Sequence, residues 1–354
     1  MSWTQNAIQT VLSEAQRSAD THLFQLPMPK DYEDIQVYLK DESTHPTGSL
    51  KHRLARSLFL YALCNGYVHE NTAVIEASSG STAVSEAYFA RLLGLKFIAV
   101  MPETTSKQKQ QQIEFYGGQC HLVKGGDIYG EAERLAKELG GHYMDQFTYA
   151  ERATDWRGNN NVADSIFNQM RRERYPEPSW IVVSAGTGGT SATIGRYIKY
   201  RGASTQLCVA DPSHSVFYDS FMSGDSSLTC SCPSAVEGIG RPRVEPSFVP
   251  SVIDKMIKVP DASAFACMQF VSDLLGIRVG GSTGTNMFAA FQLAVQMKKE
   301  NKSGSIVTML CDRGERYVDT YYNAQWLEQR GYAESMPQIK QQLSQFYDSG
   351  QWLP

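Results

Sequence analysis

The sequence predicts an α/β protein of two lobes, each a mostly parallel sheet flanked by helices. Strand and helix patterns alternate along most of the chain, and the helices are of ordinary length. Segments such as Phe97–Met101 and Trp180–Val183 are unbroken apolar runs, as expected of strands covered on both faces. At 354 residues the chain is long for a single core.

Near the start, Ile8, Val11, Leu12 and Ala15 fall on one face of a possible helix, and an irregular Leu26-Pro27-Met28-Pro29 stretch follows. Such an arm could pack on its own lobe or on a second subunit. Gln36–Lys40 reads as a strand leading into His45-Pro46-Thr47-Gly48-Ser49-Leu50-Lys51-His52-Arg53. Pro46 and Gly48 make a turn there, Ser49 is a fair N-cap, and Leu50, Leu54, Leu58 and Ala62 share one helical face. Next come a strand at 72–77, the polar loop Ser78-Ser79-Gly80-Ser81-Thr82 and a small-residue helix over 83–93. A strand at 97–101, a helix over 107–116 stopped by Gly117-Gly118, a strand at 121–123, a helix over 129–139 and Tyr143-Met144 complete the first half.

The second half repeats the scheme. The strand 180–183 runs into Gly186-Thr187-Gly188-Gly189-Thr190 and a helix over 191–200, and Gln206–Ala210 is the next strand. Residues 223–251, rich in Ser, Pro and Gly, show no period and read as a long covering or functional loop. A helix over 262–275, a turn at 280–284, a helix over 286–299, a strand at 305–310 and a mainly helical stretch over 316–347 finish the chain.

Composition narrows the function. Net charge is -4, charged residues are 20% of the chain and no basic run occurs, so neither nucleic-acid binding nor polybasic membrane attachment is expected. No apolar run approaches membrane-spanning length, and the first residues lack the apolar core of a signal peptide. Seven scattered cysteines suit reduced thiols in the cytoplasm; the close pair Cys230 and Cys232 gives only a weak suggestion of zinc, and no metal site is expected.

Three stretches could carry chemistry. Lys51 sits in the first turn of its helix, where the helix dipole disfavours a cation, so it is a candidate nucleophile or Schiff-base former as well as an ordinary surface lysine. Gly186–Thr190 lies between a buried strand and a helix start, an arrangement that gathers backbone N–H donors around an anion. A dinucleotide fingerprint would need glycine where Ser191 stands, and a nucleotide P-loop would need Gly-Lys-Ser/Thr at its end, so a smaller phosphate-bearing ligand or a bare structural turn remains. The hydroxyls and amides of Ser78–Thr82 suit a carboxylate, though a Ser-rich helix start would look the same. Together these features suggest pyridoxal phosphate (PLP) acting on an amino acid.

The chain also resembles the fold-type II, tryptophan synthase β-like PLP enzymes of the cysteine synthase / cystathionine β-synthase family. The resemblance covers nearly everything after residue 20. It is carried by Pro46–Lys51, Glu76–Thr82, Met101-Pro102-Glu103-Thr104, Gly186–Thr190, Gly238-Ile239-Gly240 and Gly314-Glu315-Arg316-Tyr317. It implies a smaller, mobile domain at 47–155 and a larger phosphate-binding domain made of 1–46 and 156–354. Lys51 would hold PLP and later remove the substrate α-proton. Gly186, Thr187, Gly188, Gly189 and Thr190 would bind the phosphate. Ser78, Ser79, Gly80 and Thr82 would hold the substrate carboxylate, assisted by Gln146, and closure over it would exclude water.

Three positions depart from the family pattern. Ser81 stands where an Asn meets the cofactor's ring hydroxyl. His52 stands for an Asp and reads as a solvated helix residue. Arg313 stands at the place of a Ser that meets the pyridine nitrogen, with Cys311 and Asp312 beside it as neighbours able to substitute. The loop Ser78–Thr82 and the ending Cys311–Tyr317 look most like the branch of Cds1-type L-cysteine desulfhydrases. The implied reaction is α,β-elimination of L-cysteine to sulfide, pyruvate and ammonia, by a cytoplasmic homodimer. The alternative is β-replacement of the cysteine synthase or cystathionine β-synthase type.

Overall fold

The computed structural model describes residues 2–17, 20–158, 161–231 and 234–352. Its strands are β1 (His22–Leu26), β2 (Ile35–Asp41), β3 (Val74–Ala77), β4 (Phe97–Pro102), β5 (Gln119–Val123), β6 (His142–Tyr143), β7 (Trp180–Ser184), β8 (Gln206–Pro212), β9 (Lys255–Val259) and β10 (Gly304–Leu310). The α-helices are α1 (Trp3–Gln16), α2 (Lys51–Cys64), α3 (Ser81–Leu92), α4 (Lys107–Phe115), α5 (Ile128–Leu139), α6 (Gln146–Ala153), α7 (Val162–Met170), α8 (Gly189–Arg201), α9 (Phe217–Ser223), α10 (Asp261–Leu275), α11 (Gly281–Lys299), α12 (Ala324–Gln329) and α13 (Met336–Ser349). They divide into two compact units, one of residues 1–20 and 45–155, the other of residues 21–44 and 156–354.

The first unit is built on a parallel sheet of order β5-β4-β3-β6. Successive side chains of a strand point to opposite faces, and here both faces are dry. Val74, Phe97, Ala99 and Met101 enter one cluster with α2 and α3, while Ile75, Ala77, Ile98 and Val100 enter another with Ala132 and Leu135 of α5. This two-sided burial is why the strands read as continuous apolar runs.

The N-terminal arm belongs to this unit. A boundary after residue 46 would leave it with the larger domain, but Ala7 and Val11 of α1 are buried in the same cluster as Ala55, Leu58 and Phe59 of α2. Two polar contacts reinforce that packing. His52 Nε2 lies 3.1 Å from Glu14 Oε1, and Arg53 donates to Asp20 at 2.9 Å. His52 is therefore buried, not solvated as the sequence suggested. The carboxylate can only accept, so the neutral ring carries its hydrogen on Nε2 and Nδ1 accepts from the Thr47 hydroxyl at 3.2 Å. Thr47 in turn meets Ser85 Oγ at 2.9 Å.

The second unit holds a six-stranded sheet of order β1-β2-β10-β7-β8-β9, parallel except for the antiparallel edge pair β1–β2. Helix α11 begins at Gly281, several residues before the sequence pattern suggested, so the expected turn at 280–284 is mostly helix. A Cβ on Gly284 would stand 2.1 Å from Ala264 O, a close approach of α10 to α11 that only glycine permits. Between 316 and 347 the helical content is interrupted, with α12 and the start of α13 separated by a turn.

The Glu14–His52 contact has a pH signature. Burial holds His52 below the ordinary imidazole range; at Glu14 burial acts upward, but hydrogen bonding to His52 and Tyr88 brings the carboxyl below its usual value. Both groups bind protons more readily in the unfolded chain. Their stabilisation is thus present above the unfolded histidine value, about 6.5, and is lost as pH falls through the folded values. Thermal melting of the wild type should therefore weaken between pH 7 and pH 5 more steeply than that of His52→Gln. At pH 7 the variant should itself be about 1–3 kcal/mol less stable, because it leaves buried partners of the ring unsatisfied.

Candidate active site

Lys51 is the first residue of α2, one position later in the helix start than a Ser49 N-cap would give, and is half-buried. Its N–H is held by Ser49 Oγ at 3.3 Å. The preceding turn closes through Gly48 N–H on His45 O at 2.8 Å, with Gly48 at φ 75°, a backbone conformation that favours glycine. The residues flanking Lys51 are anchored: Thr47 and His52 by the buried polar chain just described, Arg53 by Asp20.

In the same unit the polar loop leaves the carboxyl end of β3 and opens α3, which begins at Ser81 with Gly80 as its cap residue. Gly80 N–H is held by Ser78 Oγ at 3.2 Å. Ser78, Ser79, Gly80 and Ser81 are half-buried, and Thr82 is buried. The Thr82 hydroxyl donates to Gln146 Oε1 at 2.8 Å, so the structure brings together two residues far apart in sequence. Gln146 is the first residue of α6, and its own N–H is held by Glu76 Oε2 at 3.1 Å. Glu76 opens the Glu76–Thr82 motif but carries no expected role of its own there. Its signal was visible, a lone carboxylate inside the apolar strand Val74–Ala77.

In the second unit Gly186–Thr190 joins the end of β7 to α8, whose first residue is Gly189. Gly188 has φ 90°, Gly189 N–H is held by Thr187 Oγ1 at 3.2 Å, and Ser191 Oγ donates to Gly188 O at 2.9 Å. Such a helix start exposes first-turn N–H groups that have no partner inside the helix. The loop is roofed by residues 238–248. A Cβ on Gly186 would stand 2.1 Å from Gly238 O, one on Gly188 would stand 2.5 Å from Ser247 O, and Gly240 N–H donates to Ala185 O at 2.9 Å.

At the carboxyl end of β10, Arg313 turns its guanidinium to the end of β2, donating to Ser43 Oγ at 2.7 Å and lying 3.3 Å from Asp41 Oδ2. Asp312 is buried and accepts from the Tyr317 hydroxyl at 2.7 Å, with Arg316 at 3.7 Å. Cys311 is buried as well, its N–H held by Thr283 Oγ1 at 3.2 Å. Cys232 of the Cys230/Cys232 pair lies outside the described residues. Among the described residues no group of three or more His, Cys, Asp or Glu side chains is arranged to hold a metal ion. No helix among them is long and apolar enough to cross a membrane.

Known proteins resemble this chain. The profile of the family described as pyridoxal-phosphate dependent enzymes matches residues 15–312. The chain is 59% identical to the L-cysteine desulfhydrase Cds1 of Mycobacterium tuberculosis, over 99% of this chain and 96% of the relative. It is 28% identical to a probable cysteine synthase of Bacillus subtilis, over 88% of this chain and 98% of that protein. Among solved structures, O-ureido-L-serine synthase superposes with a TM-score of 0.75 at 26% identity, covering 88% of this chain and 93% of that one. The parallel sheets, the glycine loop at a helix start and these likenesses lead to one conclusion: the chain belongs to the fold-type II pyridoxal-phosphate dependent enzymes.

Proposed function

We propose that the chain catalyses PLP-dependent α,β-elimination of L-cysteine. Cysteine and water give sulfide, pyruvate and ammonia, the water supplying the ketone oxygen of pyruvate. What carries the reading is the 59% identity, along nearly the whole of both chains, with a protein named as an L-cysteine desulfhydrase. Relatives named as cysteine synthases stand at 28% and 27% and support β-replacement less well.

The residues present fit the cofactor. α8 begins at Gly189 with no capping side chain on Gly188, so first-turn N–H groups are left without partners inside the helix, as a bound phosphate requires. Bound PLP supplies an electron sink next to the substrate α-carbon. On this reading Gly186, Thr187, Gly188, Gly189 and Thr190 bind the phosphate. Lys51 Nζ holds the cofactor's carbonyl carbon and moves the α-proton. Ser78, Ser79, Gly80 and Thr82 receive the substrate carboxylate, Gln146 fixes the Thr82 hydroxyl, and Ser81 offers one hydrogen bond to the cofactor ring. The engagement of Arg313 with Ser43 and Asp41 supports leaving the pyridine nitrogen to Asp312 or Cys311. A carboxylate in that place would keep the nitrogen protonated.

The purified holoenzyme given L-cysteine alone should release sulfide and pyruvate in equal amounts, and Lys51→Ala should lower the rate roughly a thousandfold or more. Efficient thioether formation from a second nucleophile, with no pyruvate from cysteine alone, would transfer the assignment to β-replacement. Gly188→Ala should retain PLP about tenfold more weakly on dialysis, read from the cofactor's visible absorbance, since it places a Cβ at φ 90° against Ser247 O. Our reading includes a reduced, cytoplasmic setting, supported by the free thiols of Cys64, Cys120, Cys208 and Cys267. It also includes a homodimer, supported by the family resemblance, for which light scattering should give twice the chain mass.

A further inference from the structure

Glu76 occupies a place where a buried parallel strand ordinarily carries an apolar side chain; its neighbours Val74, Ile75 and Ala77 are all core. Both of its oxygens are used. Oε1 accepts the Ala77 N–H at 2.8 Å, and Oε2 accepts the Gln146 N–H at 3.1 Å. Ala77 leads directly into Ser78, and Gln146 holds the Thr82 hydroxyl at 2.8 Å. One carboxylate thus grips both the entry to the polar loop and the residue that fastens its far end.

Glu86, on α3, is fully buried beside it, and among the described residues neither of its oxygens has a hydrogen-bond donor. We propose that Glu76 is the positioning residue of the Ser78–Thr82 loop, acting through Ala77 and Gln146, and that Glu86 stands behind it as a neutral acid sharing its proton. The inference rests on the reading that this loop and Gln146 receive the substrate carboxylate.

Two buried carboxylates side by side cannot both be charged at modest cost. Burial is the main cause that pushes Glu76 up to about 8, with Asp145 adding to it and the Gln146 and Ala77 N–H groups opposing it. Glu86 is raised well above the usual carboxylate range by burial and by Glu76. Tyr143 on β6 also faces the pair and is pushed upward by burial and by these acids. The pair therefore keeps at least one proton through the neutral range, and Glu86 holds it, since Glu76 is the member that accepts backbone N–H donors.

The two positions should respond differently to the same substitution. Gln at position 76 keeps one acceptor but turns an NH2 group against a backbone N–H. Gln at position 86 closely resembles the neutral acid and can donate to Glu76. The test uses holoenzyme of wild type, Glu76→Gln, Glu76→Asp and Glu86→Gln. Each is titrated with L-alanine, which has the substrate's amine and carboxylate but no leaving group, while the cofactor's visible absorbance is followed; kcat and KM for L-cysteine and melting curves are taken in parallel.

Glu76→Gln should lose about tenfold in L-alanine affinity and gain about as much in KM, with a much smaller change in kcat. Glu76→Asp should fall between it and the wild type, and Glu86→Gln should stay within about twofold of the wild type. Unchanged affinity in both Glu76 variants would overturn the proposal, and so would an equal loss in Glu86→Gln, which would mean a purely structural acid pair. Should the Glu76 variants not fold, the infrared difference spectrum of the wild type on adding L-alanine decides. A shift of a protonated-carboxyl band supports the proposal, and no shift overturns it. L-alanine reads the carboxylate site whether or not L-cysteine releases sulfide, so failure of the elimination reading is told apart from failure of this one.

Discussion

Backbone lies against backbone at Gly186 and Gly188, and much of the second unit is arranged around that approach. Gly238 O and Ser247 O occupy the space that side chains on those glycines would need. The covering segment must therefore be held in one path, and the structure supplies anchors along it. Tyr321 accepts the Glu237 N–H at 2.8 Å and donates to Ala235 O at 2.9 Å. Asp261, at the start of α10, holds the Ala235 N–H at 3.2 Å. Buried Glu245 receives Arg241 at 2.7 Å and Arg243 at 3.1 Å, and Phe248 stacks on Phe217 at 4.2 Å. The irregular stretch of residues 235–248 is thus a buttress whose regularity lies in its contacts.

The first unit solves a different problem, the fixing of one lysine at a helix start whose cap residue, Leu50, has no side chain able to cap it. Its solution is to bury the neighbours. Thr47 and His52 belong to one polar chain reaching Glu14 on α1 and Ser85 on α3, so three helices converge on the turn that carries Lys51. A buried polar chain of this kind is stabilising only while every member is satisfied, which makes the turn stiff and also sensitive to loss of any one partner.

The strands were legible because both faces of each sheet are covered, and the glycine loop because a buried strand runs straight into it. Lys51 and the polar loop could be named from their neighbours in sequence. What escaped depends on partners distant in the chain. His52 looked like a solvent-facing helix residue because nothing near it announces Glu14, and the N-terminal arm carried no sign of which unit it would join. Helices α8 and α11 begin earlier than propensity suggests because Gly189, Gly281 and Gly284 are weak helix formers that tertiary packing overrules. The pairing of Glu76 with Glu86 was hidden for the same reason: one sits in a strand, the other in the next helix, and only the packed structure sets them side by side.

The place of β2 in its sheet has a consequence for synthesis. Ile35–Asp41 is made long before its parallel partner Gly304–Leu310, and β7 is joined to β2 only through that same strand. Until then β2 has β1 on one side and an open apolar edge on the other, with Val37 and Leu39 awaiting cover. Residues 45–155 can gather around their own sheet long before this. The nascent chain therefore passes through a stage with one unit formed and the other held open, when chaperone engagement and misassembly have their longest opportunity.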